Sequence, residues 1–234
     1  LLTINYCNRF TMKYIRIMIL LIMVSVTFSA CTKVKYEYFE DGGMKSAVPY
    51  RFGKEHGTCK YYFINAPHPL KIEMEMRNGK RQGDFVKYYI NGRLETRCTY
   101  QNDLLEGTEE CYHIKGYRTS VTNYLHGKKH GQYVLYYPNG EIVEQGFFYE
   151  DLFDGEWLYY DDRGVLIGEG HYDKGTGVQK GYNLNGNLVR VVHYKDNQKN
   201  GDDIELNSEG DTVKITVYEN DRIVSVNGEK AIDE

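Results

Sequence analysis

The chain has 234 residues, with 33 acidic and 29 basic side chains, a formal charge of −4, 24 glycines and 23 tyrosines. Setting aside Arg9, Lys13 and Arg16, which have no acid among their neighbours, leaves −7 for the remainder. That balance, with no basic stripe anywhere, argues against a nucleic-acid surface and against an electrostatic grip on anionic lipid.

Residues 1–11 read as an over-extended start, because Met12 begins a better N-terminus. Lys13 and Arg16 precede an apolar run from Ile17 to Val26, the charge order of a secretory signal peptide over residues 12–30. The run is well short of the ~20 residues that a membrane-spanning helix needs. The segment ends Thr27-Phe28-Ser29-Ala30-Cys31. Small residues before a cysteine resemble a bacterial lipobox, which implies lipidation of Cys31, cleavage before it and a membrane anchor. Each buried acyl methylene would contribute about 0.8 kcal/mol. The alternative is an ordinary signal peptide followed by a chance cysteine.

From residue 31 to residue 234 the chain repeats itself, and a period of two dozen residues decides the architecture. A leading glycine recurs at Gly57, Gly83, Gly107, Gly131, Gly155, Gly177 and Gly201, and Lys33 opens the first unit in its place. The steps are 24, 26, 24, 24, 24, 22 and 24 residues. A tyrosine column stands five residues on, from Tyr38 to Tyr182, with Leu206 closing it. A glycine column stands nine residues on, and an aromatic column seventeen residues on, from Tyr50 to Tyr218. The two extra residues fall in Asn65-Ala66-Pro67-His68-Pro69, and the two missing ones in Asp173-Lys174-Gly175-Thr176, both assigned to turns.

A unit this short with two turn signals fits two strands and two tight turns. Asp41-Gly42, Asn91-Gly92, Pro138-Asn139-Gly140 and Asn185-Gly186 mark the first turn. They predict a three-residue loop: a type I turn followed by a left-handed glycine. That loop places the fifth position opposite the eleventh and predicts that all odd positions share one face. In the last unit Val213, Ile215 and Val217 fall at even positions, as a closing unit allows. The leading glycine is expected to give bare backbone under a neighbouring aromatic ring. The fold class is therefore all-β, an elongated single-layer antiparallel meander of about eight hairpins.

Tyr88-Tyr89-Ile90-Asn91-Gly92 and Tyr136-Tyr137-Pro138-Asn139-Gly140, with the Gly-Lys-x-x-Gly turns at residues 79–83 and 127–131, resemble the MORN-repeat family. The likeness is to its divergent variants, found also in YwqK-like antitoxins, and it covers roughly residues 33–225. It implies a scaffold for partners and an antitoxin-like role.

Few residues carry a pattern that points to chemistry. His126-Gly-Lys-Lys-His130 has an attractive spacing, but the position of His130 holds His56, Gln82, Glu106, Asp154 or Asn200 in other units, which describes a polar turn. The acidic pairs lack the alternating spacing of a calcium loop. No nucleophile elbow, phosphate loop or dinucleotide fingerprint occurs. No metal, cofactor or catalytic residue is expected. Cys98 and Cys111 lie on consecutive strands and form a bond if the turn centres near Leu104-Leu105; otherwise they fill strand positions as thiols. In the central units Phe85, Tyr89, Tyr133, Tyr137, Phe147 and Trp157 all fall on the even face and form a candidate partner-binding patch. The bland alternative is that such rings merely suit strands. The expected function is a non-enzymatic, membrane-anchored scaffold in the bacterial envelope that binds a protein. Toxin neutralisation and carbohydrate binding are the alternatives. Open sheet ends would also permit edge-to-edge pairing of copies.

Overall fold

The computed structural model describes residues 32–230, and Cys31 with the segment before it lies outside them. Nineteen strands form one antiparallel sheet. The first unit is β1 (Lys33–Tyr38) and β2 (Met44–Arg51), and the second is β3 (Lys54–Glu55), β4 (Gly57–Tyr62) and β5 (Leu70–Arg77). Two-strand units follow: β6 (Lys80–Tyr88) and β7 (Leu94–Gln101), β8 (Leu104–Tyr112) and β9 (Arg118–Leu125), β10 (Lys128–Tyr136) and β11 (Ile142–Tyr149), β12 (Leu152–Tyr160) and β13 (Leu166–Asp173). The last are β14 (Thr176–Tyr182) and β15 (Leu188–Lys195), then β16 (Gln198–Leu206) and β17 (Thr212–Glu219). A short hairpin, β18 (Arg222–Val226) and β19 (Glu229–Lys230), extends the array past the eighth unit. Every long strand pairs with its sequence neighbours, so the sheet is a pure meander.

The first turn has the predicted form. Gly140 N–H donates to the Tyr137 carbonyl (3.0 Å), Tyr137 N–H donates to the Glu141 carbonyl (2.8 Å), and Gly140 sits at φ +92°. Tyr136 stands opposite Ile142, Tyr88 opposite Leu94, and Tyr160 opposite Leu166. The second turn is a two-residue hairpin with both central residues at positive φ, such as Asn102-Asp103 and Glu150-Asp151, matching the right-handed strand twist. These turns bond to the unit before them. Asp103 N–H donates to the Arg81 carbonyl (3.0 Å) while Asp103 Oδ1 accepts from Arg81 N–H (2.9 Å). Asp151 and Asp221 repeat this with Lys129 and Lys199.

The face assignment differs from the sequence expectation. Leu135 opposes Glu144 while Tyr136 opposes Ile142, so Val143 is an extra residue and parity changes within each hairpin. Positions two and four of a unit therefore share a face with positions thirteen, fifteen and seventeen. Tyr133 opposite Gly146, Phe85 opposite Cys98 and Asp203 opposite Thr216 are examples. The last unit needs no slipped register, because Ile215 faces Ile204 on the other side of the sheet.

The leading glycine also has a different reason. At every junction between successive units except one, the incoming strand carries two extra residues: Phe147 opposes Asp154, but Gln145 opposes Leu158. The leading glycine lies in this bulge with positive φ, as at Gly131 (+96°) and Gly155 (+66°), a conformation that glycine adopts without steric cost. The unit that begins at Gly177 lacks the bulge. Its register runs unbroken from Gly168–Gly181 to Asp173–Thr176, around a turn of ordinary length. The two missing residues were bulge residues, not turn residues. The two extra ones do lengthen a turn, and His68 in that loop covers Gly43, stacks on Phe39 and pairs with Asp41 at 2.9 Å.

A Cβ added at Gly140 would meet open space. Gly140→Ala should thus lower stability by about 1–2 kcal/mol through backbone strain alone. The urea midpoint followed by fluorescence of Trp157, the sole tryptophan, should fall; an unchanged midpoint would contradict the turn assignment.

Candidate functional site

The six aromatics of the predicted patch do not form one exposed surface. Trp157 is 1% exposed and lies in a core cluster with Phe148 and Tyr172; Tyr133, Phe153, Tyr159 and Tyr194 pack around it. Tyr133 belongs to this core, and Phe85 lies on the same face against Tyr100. Phe147, 52% exposed, points to the opposite face, because it stands opposite Gln132 rather than Tyr133. Tyr89 and Tyr137 serve neither face. Their hydroxyls donate to the Tyr112 and Tyr160 carbonyls of the following units, at 2.9 and 3.0 Å. The parity change within each hairpin is what separates Phe147 from Tyr133 and Trp157.

The core exists because glycines leave room for it. A Cβ at Gly146 would stand 2.2 Å from the Trp157 ring, and one at Gly170 would stand 2.4 Å from the Tyr172 ring. Neither glycine has positive φ, so each is required for space. Trp157 packs edge-on against Phe153 at 4.6 Å and Phe148 at 5.1 Å, and its indole N–H donates to the Phe147 carbonyl at 3.0 Å. Such ring pairs add roughly 0.5–1.5 kcal/mol each beyond their buried area. The sequence signal for this core was available. Glycines at position fifteen of two successive units, Gly146 and Gly170, coincide with large rings at position two, Tyr133 and Trp157.

One carboxylate sits in this setting. Glu144 stands opposite Tyr159, and burial raises its pKa, against the opposing pull of the Tyr133 hydroxyl and the Lys129 charge. Burial also pushes the Tyr133 and Tyr172 phenols up to about 12 and Tyr159 still higher. Protonated phenols and a destabilised carboxylate suit a core that holds itself together. Toward the C-terminal end the same face changes character. Asp203, 2% exposed, takes a two-pronged bond from Arg190 (2.7 and 2.6 Å) and a third from Lys199 (3.0 Å).

Cys59, Cys98 and Cys111 are free thiols. The β7–β8 turn centres on Asn102-Asp103, not on Leu104-Leu105, so Cys111 stands opposite Thr96, and Cys98 pairs across its other edge with Phe85. Burial raises both thiols, Cys98 to about 12. His126 occupies an exposed turn at φ +53°, and the His130 ring lies against Tyr149. Among the described residues no three potential metal ligands come together.

One set of exposed apolar residues lies at the tips of the first turns, while others, such as Phe52, Leu104, Leu125 and Phe147, are exposed elsewhere on the sheet. Ile64, Ile90, Ile114 and Leu184 each occupy the seventh position of a unit and are exposed, and the exposed Pro138 takes the same place. Successive tips are two strand spacings apart, roughly 9–10 Å, so three isoleucines and a proline from consecutive units line one edge of the sheet. Arg93 binds the Ile114 and Lys115 carbonyls, and Asn91 Nδ2 donates to the Ile114 carbonyl (3.2 Å), fixing neighbouring tips relative to each other. Each tip alone read as ordinary turn sequence, and only their alignment in one column marks them.

Three consecutive segments, residues 129–151, 153–174 and 176–196, match the family model of the MORN repeat variant. No curated protein sequence matches the chain.

The Glu144 environment has a pH signature. A carboxyl whose folded pKa lies above its ordinary 4.5 contributes most stability below that value and loses it as pH rises through the folded pKa. Glu144→Gln should therefore raise the thermal midpoint at pH 7, with the advantage fading as pH falls toward 4.5. A variant less stable than wild type at pH 7 would show that the carboxylate is favourably held.

Proposed function

We propose that this chain is a non-enzymatic repeat scaffold, held on a membrane of the bacterial envelope by lipid on Cys31, which binds a protein partner along its first-turn edge. The matches to the MORN repeat variant support a repeat scaffold of a typically non-enzymatic kind. The row of exposed apolar tips carries the partner reading. A monomeric sheet gains nothing from placing Ile64, Ile90 and Ile114 in solvent, one above the other, while filling its own core face elsewhere. Aligned on a rigid ladder, the three side chains would meet a partner together, without the ordering cost of a flexible loop.

A toxin is the partner class that the resemblance to the antitoxin group suggests, and occlusion by such an edge would serve that role. Trp157, buried in the core, offers no open face for stacking a sugar. The anchor itself rests on the small residues ahead of Cys31. With β1 starting at Lys33, the sheet would stand directly on the bilayer.

A photoreactive residue at position 90 or 114, introduced in the full chain and irradiated in cells, should yield one discrete adduct with a protein. The same probe at Asn102, on the opposite turn edge, should yield none. Cys31→Ser should release the chain from the membrane fraction and weaken that adduct. Equal labelling at both edges, or label found only on lipid, would refute the protein-docking edge.

A further inference from the structure

Apart from the turn edge, the sheet presents the two ends of its ladder, and they differ. Among the described residues the C-terminal end closes with β19, two residues long and both charged, Glu229 and Lys230, which blunts it against pairing. The N-terminal end is β1, six residues long, and among the described residues it pairs only with β2. Its sequence alternates Lys33, Lys35 and Glu37 with Val34, Tyr36 and Tyr38, and the last three are 44, 52 and 58% exposed.

Backbone direction follows from the adjoining turn. Phe39 N–H donates to the Gly43 carbonyl at 2.8 Å, so Phe39 faces β2. Alternation then turns Glu37, Lys35 and Lys33 toward β2, and the amides of Val34, Tyr36 and Tyr38 outward. The outward amides thus belong to the exposed apolar residues, and an incoming antiparallel strand would bond to those three.

We infer that β1 is a self-association edge, pairing antiparallel with β1 of a second copy about a two-fold axis through Tyr36. Charge selects this register. Centring the axis on Lys35 sets Lys35 against its own copy, and centring it on Glu37 does the same for Glu37. Like charges directly opposite are unfavourable. With the axis at Tyr36, each Lys35 meets the other copy's Glu37 on one face, Val34 meets Tyr38 on the other, and Tyr36 meets itself. Three backbone pairs would exchange about six hydrogen bonds. In the single chain Lys35 Nζ instead turns back to its own Glu37 at 2.9 Å, and Lys45 lies 3.5 Å from the same carboxylate. Both carboxylates and both lysines are therefore already at the edge, ready to exchange partners. Self-complementary residues of this kind define a closed two-fold contact rather than an open filament, and the short charged β19 cannot extend it. The result is a sheet of doubled length with both first-turn edges free. The inference does not depend on the tip row as a docking edge, because the two surfaces share no residue.

The test is the mass of the full chain in detergent, by light scattering or sedimentation, at tens of micromolar. Wild type should be a dimer. Tyr36→Pro removes an outward N–H without touching the β1–β2 ladder and should give a monomer with an unchanged Trp157 emission spectrum. Lys35→Glu should weaken the dimer about tenfold, and the double swap Lys35→Glu with Glu37→Lys should restore it. Under mild oxidation Tyr36→Cys should form a disulfide-linked dimer, which Val34→Cys alone should not. A monomeric wild type would overturn the inference, as would a dimer indifferent to Tyr36→Pro or a double swap no better than the single one.

Discussion

Register in this sheet rests on two backbone irregularities per unit. The extra residue on the returning strand, Val143 opposite the Leu135–Tyr136 step, changes which residues share a side. The two-residue turn that follows, as at Glu150-Asp151, reverses it back before the next unit begins, and the two extra residues at the leading glycine, Gly155-Glu156 in the strand facing Gln145 to Phe147, leave that parity unchanged. Bulges bend and twist a strand, and here they recur once per unit. A meander of this length therefore stays in register by repetition, and each unit needs only its neighbours. The exception supports the rule: where Gly177 has lost its bulge, it has also lost its left-handed φ.

With the register fixed, one face of a single-layer sheet must make its own core. Trp157 and Tyr172 lie along the sheet surface over strand positions occupied by glycine, and Phe148 packs edge-on against Trp157. Bare backbone beneath a ring removes the crowding that a second layer would otherwise create, and the ring shields the amides below it. Away from this centre the same positions hold Cys59, Met76 and Val48 at one end and the Asp203 ion group at the other. Among the described residues the buried apolar side chains thus gather in two separate clusters, with Cys98, Val134 and Val192 buried outside them, and turns bond each unit to the one before it.

The period, the turn chemistry and the opposition of positions five and eleven could be read from the sequence, because each depends on residues whose backbone preferences are local. The faces could not. One unmarked bulge residue, a valine in one unit and a lysine in another, reverses the parity of everything after it, and no side chain announces it. Even spacing therefore groups Phe147 with Trp157, although the sheet separates them. The two-residue deletion misleads for the same reason: Lys174-Gly175 looks like a shortened loop, although the loss lies in the bulge beside it. Tyr89 and Tyr137 looked like patch residues because a hydroxyl that reaches the next unit's carbonyl has no sequence signature other than its column. Position seven gains meaning only from the exposure of Ile90 and Ile114 in the structure.

The most direct measure of this account is residue-resolved hydrogen exchange on wild type and on Gly146→Ala, where a methyl group would collide with the Trp157 ring. Rings over bare backbone within a nearest-neighbour ladder predict that protection falls in β10 to β13 and stays unchanged in β4 to β6 and in β16 and β17. Exchange that rises equally across the whole sheet, or nowhere at all, would contradict it.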